Sequence, residues 1–124
     1  MSTLLLVAAA LAVLLAVAHS YLGERYIIIR LLRRTDLPKL LGGTEFTKGT
    51  LRFAWHLTSV AWLGFAGLLT VRGLGVVASR AVEAQIIASA FGLSGVLALV
   101  GSKGRHVSWL VFFAIAALVW LGYP

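Results

Sequence analysis

Residues 3–22 read TLLLVAAALAVLLAVAHSYL, a run without a single charged side chain. A helix rises ~1.5 Å per residue, so about 20 apolar residues cover the ~30 Å hydrocarbon layer of a bilayer. Only helices and closed barrels satisfy their backbone groups in lipid. This run is too long, too unbroken and too rich in Leu and Ala for the ~10-residue alternation of a barrel strand. It predicts a membrane-crossing helix. The segment from Leu4 to Ala18 also imitates a signal peptide, with Ala16-Val17-Ala18 as the cleavage site. No Lys or Arg precedes it, so the expectation is a retained span.

Three more stretches qualify on either side of the loops: 53–71, bracketed by Arg52 and Arg72; 84–100, between Glu83 and Lys103; and 107–122, the shortest. The composition agrees. The 124 residues are 60% hydrophobic and 12% charged, with a mean hydropathy of +0.98, where soluble domains carry about 25% charged residues. A water-soluble domain and a disordered chain are excluded. With no cysteine, disulfide exchange, thiolate metal sites and iron–sulfur clusters are excluded as well. The expectation is one all-α domain over residues 1–124, an integral membrane antiparallel four-helix bundle. A stripe of small residues at Ala88, Ser89, Gly92, Gly95 and Val96 predicts close helix packing and offers a seam for a homo-oligomer.

Orientation follows from the basic residues beside the spans. Arg25, Arg30, Arg33, Arg34, Lys39, Lys48 and Arg52 lie between the first two spans, and Lys103 and Arg105 between the last two. Only Arg72 and Arg80 lie on the other side. This predicts a multi-pass protein of the bacterial inner membrane, with both termini extracytoplasmic. Its net charge is +7, which this topology explains without nucleic acid. The segment Arg25 to Arg34 alternates arginines with aliphatics. It reads either as the first helix running on past the bilayer or as an amphipathic helix among anionic headgroups. Membrane lipid is thus one expected partner, and an acidic protein surface the alternative.

The topology brings three histidines to one end: His19 in the last turn of span one, His56 near the start of span two, His106 before span four. Ionisable groups inside a membrane usually face the bundle interior. His56, Ser59, Leu63, Gly67 and Thr70 fall on one helical stripe, with Arg52 a turn below. Two imidazoles at matching depth on adjacent helices are what haem b needs for axial ligation. His19 and His56 are the expected ligands, with His106 as a substitute for either. Arg52, Lys48 and Arg25 would pair with the propionates, and Trp55, Trp62, Trp109 and Phe113 would cover the ring. Such a centre implies a redox or electron-transfer role with a quinone or a membrane redox partner. Two alternatives stay open: a divalent metal held by His19, His56, His106 and Glu24, and a non-catalytic protein assisting assembly or regulation of a larger complex. Whether the chain is an enzyme is left open. No carboxylate lies within a span, which excludes the carboxylate-driven coupling of small multidrug antiporters.

The stretch Arg52-Phe53-Ala54-Trp55-His56-Leu57-Thr58-Ser59-Val60-Ala61-Trp62-Leu63-Gly64 resembles the His-then-Trp-Gly helices of haem-binding bacterial membrane families, the CopD-type copper-resistance proteins and the membrane protoporphyrinogen oxidases. His19-Ser20-Tyr21-Leu22-Gly23-Glu24 is similar to a signature of small four-span bacterial membrane proteins. The resemblance implies haem ligation by His56.

Overall fold

The computed structural model describes residues 1–75 and 80–123. Four helices account for most of them: α1 (Thr3–Leu31), α2 (Glu45–Gly73), α3 (Arg80–Gly101) and α4 (Ser108–Leu121). The described residues contain no strand, only an isolated bridge between Leu40 and Gly43. The first three helices are long and apolar enough to cross a membrane. The fourth has 14 residues, about 21 Å at ~1.5 Å each, and falls short of the expected 107–122.

Two boundaries differ from the sequence reading. α1 does not stop at residue 22 but carries Arg25 and Arg30 on to Leu31, so the basic segment is an extension of the first helix. α2 starts at Glu45 rather than residue 53, which places Lys48 and Arg52 on a helix instead of in a loop. Within α1, residues Glu24–Ile28 form a π turn, in which the Ile29 N–H bonds the Glu24 carbonyl five residues back. Such bulges widen the helix locally and re-aim the side chains that follow.

The start of α1 lies against the end of α2, and the start of α2 against the end of α3. The Ser2 N–H donates to the Gly73 carbonyl at 2.7 Å, while at the other end of the pair Glu24 meets Arg52. Along the α2–α3 seam Gly49 abuts the Gly101 backbone, Gly64 abuts Ala90 and Gly67 abuts Ile86. Arg72 and Glu83 close its far end at 2.7 Å. Between α3 and α4, Gly95 seats the Phe113 ring. Among the described residues α1 packs on α2 alone and α4 on α3 alone. The helices form an open row in chain order, not a closed ring.

The small-residue stripe therefore divides. Ala88 and Gly95 are buried, whereas Ser89 and Val96 are exposed. A methyl group at Gly92 would meet nothing within 4 Å. Gly95 serves packing inside the chain, and only the outer residues remain for the expected homo-oligomer seam. On α2 the stripe from His56 to Thr70 splits likewise: His56 and Ser59 turn to α1, and Gly67 to α3.

The loop after α1 is tied down by side chains. The Thr47 hydroxyl donates to the Pro38 carbonyl at 2.8 Å, and Leu40 and Gly43 exchange backbone bonds. Arg34 forks onto Asp36. The hydrogen bond from Arg34, then one from its own backbone, hold the Asp36 carboxyl below the usual carboxylate range. A depressed carboxylate stabilises the fold above its unfolded pKa and ceases to do so as pH falls through its folded one. In a carboxyl-carbon NMR titration Asp36 is expected to protonate below the ordinary carboxylate range, and Arg34→Gln to return it to that range. Because the pair is fully exposed, overall stability should change little.

Candidate functional site

The π turn positions the centre of the site. It begins at Glu24, one turn beyond Ser20, and points the Glu24 carboxylate across to α2. There His56 Nε2 lies 3.2 Å from Glu24 Oε2, and an Arg52 guanidinium nitrogen 3.0 Å from Glu24 Oε1. The other imidazole nitrogen, Nδ1, lies 2.9 Å from the Ser20 hydroxyl, which is 2.8 Å from the Ser59 hydroxyl. One continuous chain of polar groups thus runs Ser59–Ser20–His56–Glu24–Arg52 across the α1–α2 interface. Buried Ser59 forms its inner end and exposed Arg52 its outer end. The His56 and Glu24 side chains are 25% and 29% exposed, partly screened by the two helices.

The arrangement has two self-consistent hydrogen-bond states. The Glu24 carboxylate, paired with Arg52, accepts. A neutral imidazole must therefore present Nε2–H to it, leaving Nδ1 to accept from Ser20, which in turn accepts from Ser59. If the imidazole takes a second proton, Nδ1–H donates to Ser20, and the Ser20 hydroxyl turns to donate to Ser59. In both states each imidazole nitrogen keeps a hydrogen-bond partner.

Ser59, Ser20, His56 and Glu24 line a groove of about 600 Å³ between α1 and α2, with Ala16, Val17 and Leu63 among its apolar residues and Tyr21 and Arg25 beside them. His19 does not open into it. The His19 ring stacks on Trp55, centroids 4.4 Å apart at 19°, and meets the edge of Trp62 at 5.0 Å. It borders a different groove, with Leu22, Gly23 and Tyr26. The Trp55 indole N–H donates to the His19 carbonyl at 3.1 Å. It can approach because residue 23 is glycine; a methyl group there would lie 2.2 Å from the indole nitrogen. His19 and His56 therefore border different grooves.

His106 is elsewhere. Its Nδ1 accepts from the Ser108 backbone N–H at 3.3 Å and lies 2.8 Å from the Ser108 hydroxyl, so it organises the first turn of α4. Its ring stacks on Phe46 and meets Phe53 edge-on. Trp109 bonds the Gly104 carbonyl and touches Phe113, away from His56. Among the described residues no group of three His, Asp or Glu side chains is assembled to hold a metal, so the set His19, His56, His106 and Glu24 does not come together.

The same geometry bears on haem. Both His56 nitrogens are engaged, Trp55 covers a face of His19, and the rings do not share a space. Arg52 pairs with Glu24, Lys48 with Glu45 at 3.5 Å, and Arg25 leans over the Tyr26 ring. As arranged, these residues do not fit a bis-histidine haem. Among the described residues the buried His19 Nδ1 has no hydrogen-bond partner.

Glu24 and Arg52 are visible in the sequence, as a possible ligand and a propionate partner. Ser20 is not, and its only signal is its position beside His19 on an otherwise apolar helix. No protein-family model, curated protein or solved structure matches the chain. Function has to be read from these residues.

Proposed function

We propose that the chain is a four-span antiparallel protein of the bacterial inner membrane, with both termini outside and its basic connections in the cytoplasm. Within it, the α1–α2 groove binds the polar head of a lipid-soluble ligand of the quinone class, with His56 as the proton-exchanging group. The observation that carries this reading is the polar chain Ser59–Ser20–His56–Glu24 along an apolar-walled groove, where a ligand carbonyl would take the place of Ser20 or Glu24 at one His56 nitrogen. A quinone offers carbonyl oxygens that accept hydrogen bonds and a hydrocarbon tail that stays among Ala16, Val17 and Leu63. A proton exchanged at His56 has a route through Glu24 toward the charged end of the helices, where Arg52 holds the carboxylate. Imidazole suits the task because one ring nitrogen can donate while the other accepts.

The test is equilibrium binding of decylubiquinone to the purified protein in detergent. Saturable binding is expected, weakened at least tenfold by His56→Phe and unchanged by His106→Phe. Equal affinity of the wild type and His56→Phe would refute the reading. The rival proposal, haem between His19 and His56, is favoured by the unpartnered His19 Nδ1. It requires Trp55 to leave His19 and His56 to leave Glu24, and a Soret band in protein expressed with ample haem would support it instead.

A further inference from the structure

Beyond Arg52, on the side away from the groove, the ends of the helices enclose a second cleft of about 600 Å³. Its charged lining comes from three separate places: Arg33 after α1, Lys48 and Arg52 on α2, and Lys103 and Arg105 in the α3–α4 turn, with Glu45 as the one carboxylate among them. Lys48 is drawn to Glu45, and Arg52 to Glu24. Among the described residues, Arg33, Lys103 and Arg105 have no carboxylate within ion-pair distance. Like charges gathered in one cleft repel one another, and an anion seated between them removes that repulsion.

The turn that carries two of these cations is itself unusual. Lys103 has φ +52°, a left-handed conformation that side chains other than Gly, Asn and Asp seldom adopt. Gly104 follows at φ +77°, and its N–H closes the turn on the Leu99 carbonyl at 2.8 Å.

We infer that this cleft is a saturable site for the phosphate headgroup of an anionic membrane lipid. Arginine forks match phosphate oxygens, and Leu32 and Phe46 give the cleft apolar walls on which the glycerol and first acyl carbons can lie. Free phosphate would have no use for those walls. The inference is independent of what the α1–α2 groove binds.

The experiment is native mass spectrometry of the full chain in detergent, titrated with dioleoylphosphatidylglycerol, dioleoylphosphatidylcholine or inorganic phosphate. The anionic lipid is expected to bind at one saturable site, with the zwitterionic lipid at least tenfold weaker and excess phosphate failing to displace it. Lys103→Ala with Arg105→Ala should weaken the anionic lipid roughly 30-fold, because two cations no longer reach the headgroup. Arg30→Ala with Lys39→Ala, which removes equal charge outside the cleft, should change it less than about threefold. Arg33→Gln attacks the cleft from a different element and should cost about fivefold, so a misfolded turn cannot imitate the result. Equal weakening by both double substitutions, equal binding of the zwitterionic lipid, or displacement by phosphate would overturn the assignment.

Discussion

Gly49→Val is expected to be the most damaging single substitution in the chain. A Cβ at position 49 would lie 2.2 Å from the Gly101 carbonyl oxygen and 3.2 Å from its carbon. Both obstacles are backbone, at the last residue of α3, rather than the end of a flexible side chain, so α2 and α3 must shift apart. Phe53 crowds the same crossing from the other direction, where a Cβ on Gly101 would lie 2.7 Å from its Cβ. Overpacking of this kind costs about 1–3 kcal/mol, and here the upper end applies because the branched side chain enlarges the clash. Gly92→Ala is the control: the added methyl meets nothing within 4 Å, and helix propensity favours alanine by up to ~1 kcal/mol. Thermal unfolding followed by circular dichroism should show Gly49→Val well below the wild type and Gly92→Ala level with it or above. A wild-type midpoint for Gly49→Val would mean that the α2–α3 crossing is wrongly placed.

Glu24→Ala has the second-largest expected effect, and it bears on function as well as stability. Removing the carboxylate leaves His56 Nε2 without its partner and Arg52 without its counter-charge, in a setting partly shielded from water. Losing one member of such a network costs about 1–3 kcal/mol, and we expect about 2. Glu24→Gln keeps an acceptor for Nε2 and loses only the charge, so it should cost about half as much. Loss of stability by Glu24→Ala with none by Glu24→Gln would assign the role to hydrogen bonding alone. No change in either would mean that the relay does not join α1 to α2.

The parts of this structure that are legible in the sequence are those that hydropathy and charge encode. The apolar runs locate the helices, and the basic residues group one end of them, where Arg52, His56 and Glu24 meet. Which side chains face each other is not legible, for a physical reason. Residues 4–18 of α1 are apolar all round, so nothing in their pattern says which face packs. Neighbouring residues on a helix are turned by ~100°. That single step separates Ser20, in the relay, from His19, stacked on Trp55. The π turn at Glu24 leaves no pattern in the residues, yet it aims the carboxylate at His56. Gly23 is readable as punctuation but not as the gap that admits an indole. The shortness of α4 and the open row of helices depend on which neighbours pack, and composition does not record that.

The most direct test of the central claim, that His56 exchanges protons with a ligand in the α1–α2 groove, is nitrogen NMR of the three imidazoles in the full-length protein during a decylubiquinone titration. His56 alone should shift, saturably, with both ring nitrogens affected and the response lost in Ser20→Ala combined with Glu24→Gln. His19 and His106 should hold their positions. An unmoved His56, or three histidines moving together, would contradict the account.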